Sequence, residues 1–404
     1  MPPPAPNRPS LTFVSAPTIS VGGDTARRRD RRFWLDAFRP FYLGGALLAA
    51  IAVPLWLGMW YHAWFTPSLP PLLWHAHEMV FGFGVAIIIG FLFTAARNWT
   101  GLPLPAGAPL AGVFSLWAAG RAGMLLAYGI AVAVVDSLLL VIVAAVLARK
   151  FSRAGSFANM PLVGVLAALA LANIAFHGAM LGLLRLAPLT AVEAGLLLVV
   201  MIQLIVGGRV VPGFTASAIP TQTLWRPRWL PPICLALSAM AILADTVRLS
   251  NALTGVLCLA AGVGVAVQAA GWKPLGTLRR PMVWVLHLSY AWIPVGLLLL
   301  GAASFGLMPR SAAIHALAVG SMGGLILAMT TRTTLGHSGR PVRAGAWDIA
   351  AFALVHLAAA CRVIASIAPP VYLAGIAAAG FMWAAAFLIF VGVYAPLLLG
   401  RTRP

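Results

Sequence analysis

The stretch Trp74-His75-Ala76-His77-Glu78-Met79 sets two imidazoles and a carboxylate within four positions, at the head of a long apolar run. An imidazole can ligate a metal or carry a proton, and a neighbouring carboxylate can pass protons on. In a helix, residues two apart point about 200° away from each other, whereas residues three or four apart share a face. His77 then lies with Phe81, Gly84 and Ile88, and His75 with Glu78 and Met79. A second run, "HALAVGSMGGLILAM", places Gly320, Gly323 and Gly324 after His315. An imidazole above small residues suits a flat macrocycle that needs an axial ligand and a close approach to backbone. The same spacing of small residues also serves plain helix packing. The residues alone leave both readings open.

The elements that must hold these groups are membrane helices. Of the 404 residues, 61% are hydrophobic and 9% charged, and the mean hydropathy is +0.96, far from the roughly 25% charged residues of a soluble domain. The expected fold is all-α, a polytopic membrane protein. Residues 1–38, rich in Pro, Ser and Arg, read as a disordered basic cytoplasmic tail, and residues 39–404 as a twelve-helix transmembrane domain. Runs of about 20 apolar residues, enough to cross the bilayer, fall near 40–61, 73–95, 107–127, 129–148, 159–184, 188–210, 229–248, 252–272, 283–307, 311–331, 346–368 and 371–399. The third and fourth are divided only by a tight Tyr128-Gly129 turn. Cys234, Cys258 and Cys361 sit in apolar runs without metal or disulfide spacing. The net charge of +19 has no soluble basic domain behind it, which excludes nucleic acid as a partner and leaves the lipid bilayer.

Basic residues orient the spans. With the N-terminus cytoplasmic, 22 of the 27 Lys and Arg fall on the inside and 5 elsewhere, as the positive-inside rule requires. Both termini are then cytoplasmic, and Trp74–Met79 opens the second span at the outer face. His62, His75, His77, His177, His315 and His356 fall in the outer half or near mid-membrane, together with Glu78, Arg121, Asp136, Asp245 and Arg362. Ionisable groups inside a membrane usually face an interior site, although a histidine at a span's end, such as His62, can simply snorkel to the interface.

Four segments, "FRPFYLGGALLAAIAVPLWL", "LPPLLWHAHEMVFGFGVAIIIGFLFTAARNWTG", "GGRVVPGFT" and "HALAVGSMGGLILAMTTRTTLGHSGRP", resemble the NnrS family over nearly the whole chain after the tail. That resemblance implies a heme- and copper-containing protein of the bacterial inner membrane that responds to nitric oxide and relieves nitrosative stress. A weaker likeness is to subunit I of heme-copper oxidases and nitric oxide reductases, which implies a similar bundle and a heme b with axial ligands at His77 (or His75) and His315. The sequence departs from that pattern, since Ala313 stands where a second heme would find its ligand and the sixth and seventh spans lack histidine. Copper would then need ligands such as His75, His177 or His356. With Glu78 as proton relay, the expected activity is redox conversion of nitric oxide, an oxidoreductase reaction.

On the inner side, Arg209 follows Gly207 and Gly208 and is the candidate to hold an anionic group, joined by Arg97, Arg332 and His337 into a site for a propionate, a quinol or a proton path. His287 and Tyr290, one turn apart, are candidates to line a pocket for quinol as electron donor, or to pack in the core. The rival function is a secondary transporter exporting a nitrosylated metal complex or other small molecule, although the two halves of the sequence show no repeat. A nitric oxide sensor is disfavoured by the lack of a soluble output domain.

Overall fold

The computed structural model describes residues 32–62 and 67–400. Most of the expected tail, four residues of the loop after His62, and Arg401 and Arg403 lie outside the described residues. The described chain forms twelve long helical rods: α1 Phe38–His62, α2 Pro71–Thr100, α3 Ala108–Leu126, α4 Ile130–Arg153, α5 Met160–Met180, α6 Pro188–Ala218, α7 Leu230–Thr246, α8 Asn251–Ala270, α9 Pro281–Ser304, α10 Arg310–His337, α11 Ala346–Ile367 and α12 Tyr372–Leu398. Eleven are long and apolar enough to cross a membrane, and α7, at 17 residues, is the short one. Leucines, valines and isoleucines such as Leu138, Leu171, Val256 and Leu388 point outward, the surface a bilayer covers. This is an all-helical, multi-pass membrane protein.

Three boundaries differ from the sequence expectation, each for a physical reason. Residues 34–37 belong to the bundle rather than the tail: the Trp34 ring meets Phe114 at 5.7 Å, its carbonyl accepts from Gly107 N–H, and Ala37 is buried. α6 does not end near residue 210, because the helix runs on through Pro212 to Ala218. α10 likewise continues through "TRTTLGH" to His337. The Tyr128-Gly129 turn stands where expected, and the Tyr128 N–H is held by Ser68 Oγ at 3.0 Å.

α2 and α10 form the centre. The most apolar stretch of α2 is 83% buried and that of α10 72%, against 28% for peripheral α3. Both change to π-helix directly after a histidine, α2 over Glu78–Gly84 following His77 and α10 over Ala316–Gly323 following His315. A π turn widens the helix and leaves carbonyls free, and such turns collect at functional sites. In α2 the Val85 N–H reaches back to both Val80 O and Gly82 O, and the Gly82 carbonyl also accepts from Trp117 Nε1 at 3.0 Å. The two π segments meet where Met322 Sδ fills the space beside Gly84, 3.2 Å from where a Cβ would stand.

Candidate functional site

The histidines of Trp74–Met79 point to opposite sides of α2, as two-residue spacing demands. His77, fully buried, faces α3, α4 and α5. Its Nδ1 lies 3.2 Å from Glu78 Oε1, and its Nε2 2.9 Å from Asn173 Oδ1 and 3.3 Å from Asp136 Oδ2. Arg121 ties the two acids together, with Nη1 2.6 Å from Glu78 Oε1 and Nη2 paired to Asp136 Oδ1. His177 Nε2 lies 3.0 Å from Asp136 Oδ2, and its Nδ1 3.1 Å from the Tyr128 hydroxyl. Tyr128 sits in the turn outside the spans, and burial pushes its phenol up to about 12, so it stays protonated at neutral pH. Gly82 and Gly120 make room for this network: a Cβ on Gly82 would stand 2.9 Å from both Arg121 and Glu78, and one on Gly120 2.8 Å from Asp136.

His75 faces the other way, stacked on Trp56 at 4.2 Å and 21°. It is close enough to His315 for the two to interact electrostatically, and Arg362 acts on both. His75 Nδ1 is buried without a hydrogen-bond partner. His315 Nδ1 lies 2.7 Å from the Ser311 carbonyl, one turn back. A carbonyl only accepts, so Nδ1 carries the proton and Nε2 keeps its lone pair, the tautomer a metal-binding histidine adopts. Arg362 donates to Ser366 Oγ at 2.6 Å and Ser311 Oγ at 3.2 Å. No carboxylate among the described residues pairs with it, although its side chain is only 8% exposed. A buried cation in this position invites an anionic ligand.

His75, rather than His77, is therefore the histidine of this motif within electrostatic reach of His315. His77 has protein partners at both ring nitrogens, and Met322 occupies the space beside Gly84 where the macrocycle was expected. The glycines after His315 are filled too: a Cβ on Gly320 would stand 2.3 Å from the Trp292 ring, and one on Gly323 2.3 Å from Trp383. There the packing reading of the small residues prevails.

His356 has no lone pair to offer copper. Trp292 Nε1 donates to its Nδ1 at 3.2 Å, so its proton sits on Nε2 and is directed at Ser289 Oγ, 3.3 Å away. The expected inner-side cluster is divided. Arg209 donates to Asn159 Oδ1 at 2.9 Å and the Ala158 carbonyl at 3.1 Å, whereas the Arg332 guanidinium lies 3.5 Å over the Phe214 ring. Arg97 pairs with Asp36 at 3.7 Å, and His337 packs on Phe38. His287 Nε2 meets Thr215 Oγ1 at 2.7 Å, while its Nδ1 and the Tyr290 hydroxyl are buried without partners. Tyr290 packs beneath Gly207.

Sequence reasoning passed over Asn173, the residue that connects His77 to Asp136. Its signal was present, since Asn173 and His177 are four apart on α5 and share a face. It also missed the second ion cluster, in which Arg310 grips Asp245 with two bonds of 2.7 Å and reaches Glu193 at 2.7 Å. That contact is between distant segments and has no local signature.

The fold defines a polytopic membrane protein with two imidazole clusters at the heart of its bundle. Residues 32–401 match the family described as NnrS protein, and the chain belongs to that family. Membership points to a role in the nitric oxide response. No curated protein is similar enough in sequence to match.

Proposed function

We propose that this protein binds a b-type heme between His75 and His315 and handles nitric oxide there, in the inner membrane of a bacterium with both termini cytoplasmic. The observation that carries the reading is the set of unmet demands on one side of α2 and α10. Among the described residues, His75 Nδ1 has no partner, His315 keeps its Nε2 lone pair, and Arg362 lacks a carboxylate. A heme would meet all three, held by the His75 and His315 imidazoles with Arg362 beside an acidic propionate.

When bound, the heme would supply a redox-active iron at which nitric oxide competes with one of the two imidazoles. The chain's own residues hold and orient it. The Ser311 carbonyl fixes the His315 ring, Trp56 backs the His75 ring, and Arg362, steadied by Ser366 and Ser311, holds the acidic edge. Reduction of nitric oxide consumes protons, and Glu78, whose Oε2 is buried without a partner, is the nearest carboxyl in sequence to that centre. A quinol is the proposed electron donor, entering at the Tyr290 and His287 side of the bundle, where two buried polar atoms await partners.

The test is an absorption spectrum of the full chain, purified in detergent from a heme-sufficient host, oxidised and dithionite-reduced, with and without nitric oxide. The expected result is a Soret band that shifts on reduction and again with nitric oxide. A protein lacking any Soret band would overturn the reading and favour export of a small molecule.

A further inference from the structure

The His77 face of α2 carries a second set of unmet demands, independent of the heme. Among the described residues, each polar partner of the two His77 ring nitrogens is an acceptor. Glu78 Oε1 faces Nδ1, while Asn173 Oδ1 and Asp136 Oδ2 face Nε2. The Asn173 amide is oriented by its other end, which donates to Asp136 Oδ2 at 2.9 Å, so the oxygen must face His77. A neutral imidazole has one N–H and one lone pair. One of its nitrogens would therefore direct a lone pair at oxygen. The charges show the same deficit, because Glu78 and Asp136 are matched only by Arg121, leaving one negative charge in a cluster whose members are at most 8% exposed. Something cationic belongs at Nε2.

We infer that His77 Nε2, His177 Nε2 and Asp136 Oδ2 form a binding site for a divalent transition-metal ion. The three atoms converge within 4.8 Å of one another, with both nitrogens aimed at the same carboxylate oxygen at 3.3 and 3.0 Å. Tetrahedral ligands at about 2.1 Å from a metal lie about 3.4 Å apart, so the two nitrogen–oxygen spacings are within a few tenths of an ångström of what the ion needs. The outer partners are those of a metal centre. Glu78 accepts from His77 Nδ1, the Tyr128 hydroxyl can accept from His177 Nδ1, and Arg121 holds the other oxygen of Asp136. Asn173 Oδ1, 2.9 Å from His77 Nε2, stands where a fourth ligand or a ligand-bound water would be. Two imidazoles and a carboxylate select zinc, copper, iron or nickel over magnesium or calcium. α2, α3, α4 and α5 each supply part of the site, and the π turn of α2 presents Glu78 beside its own His77.

The experiment uses the full chain in detergent, stripped with a chelator, titrated with Co²⁺ and separately with Zn²⁺, then desalted. Metal per chain is read by mass spectrometry and the cobalt site by its visible absorption; heme per chain is measured in the same samples, so failure of either assignment shows independently. The wild type should retain one metal ion per chain. Asp136→Asn and His177→Ala should weaken binding at least 100-fold, and Tyr128→Phe about tenfold, with heme content and gel-filtration volume unchanged. Asp136→Glu should keep the ion with an altered cobalt spectrum, which guards against reading a folding failure as ligand loss. Retention of less than a tenth of an equivalent by the wild type, or wild-type loading of both Asp136→Asn and His177→Ala, would overturn the site and leave a proton shared among the imidazoles as the missing cation.

Discussion

Replacing Arg121 with Gln removes the one arginine that bridges two buried acids among the described residues, and the cost can be set against a natural control. Arg121 is 8% exposed and its partners Glu78 and Asp136 are 1% and 2% exposed. Arg310 also serves two carboxylates, but it is 32% exposed, with Glu193 at 14% and Asp245 at 8%. Breaking a buried pair by deleting one partner costs about 3–5 kcal/mol, because the other charge is left without water or counter-ion. A solvent-screened pair is worth about 0–1 kcal/mol. Arg121→Gln should therefore destabilise by roughly 4 kcal/mol, and Arg310→Gln by about 1 kcal/mol per pair lost. In a thermal melt of the detergent-solubilised protein the first should lower Tm by roughly 5 °C, and the second by about 1–2 °C. Added salt should shrink the Arg310 effect and leave the Arg121 effect nearly intact. The triple variant Glu78→Gln, Arg121→Gln, Asp136→Asn carries no buried charge in the cluster and should recover most of the loss. Arg121→Gln within 1 kcal/mol of wild type, or a triple variant no better than the single one, would refute the claim that these charges are desolvated together.

Gly323→Ala places a methyl 2.3 Å from the Trp383 ring, whereas Gly112 has nothing within 4 Å. The first should cost about 1–3 kcal/mol and the second should be neutral or stabilising, as read by thermal melts. Arg362→Gln should raise the rate at which heme is lost to apomyoglobin several-fold while preserving the Soret position, since the axial imidazoles remain; an unchanged rate would remove Arg362 from the site. Cysteines introduced one at a time should be labelled by a membrane-impermeant reagent from outside the cell at residue 67 and not at residue 340, and the opposite pattern would invert the topology.

Much of the fold was legible because each span needs about 20 apolar residues, and the observed helices start and stop within a few residues of those expected, apart from the longer α2, α4, α6 and α10. Gly and polar residues mark a loop only where backbone groups can reach water. In α6 and α10 the neighbouring helices keep the segment ordered, so "GGRVVPGFT" and "TRTTLGH" stay helical. Helical spacing correctly sent His75 and His77 in different directions. It could not say which one faces His315, because that depends on the rotation of α2 within the bundle and on π turns that a fixed 100° step does not include. Met322 beside Gly84, and Trp292 and Trp383 in the glycine notches of α10, are equally products of tertiary packing. The His77–Asp136–His177 convergence draws on three helices, and only the Asn173–His177 spacing gave it a local trace.

The central claim is that the heme lies on the His75 side of α2, and the most direct measurement is heme per chain, by pyridine hemochrome assay, in four purified full-length proteins: wild type, His75→Ala, His77→Ala and His315→Ala. His75→Ala and His315→Ala should each lose the low-spin spectrum or most of the heme, while His77→Ala keeps both. Retention of a normal spectrum by His75→Ala, with its loss in His77→Ala, would contradict the claim.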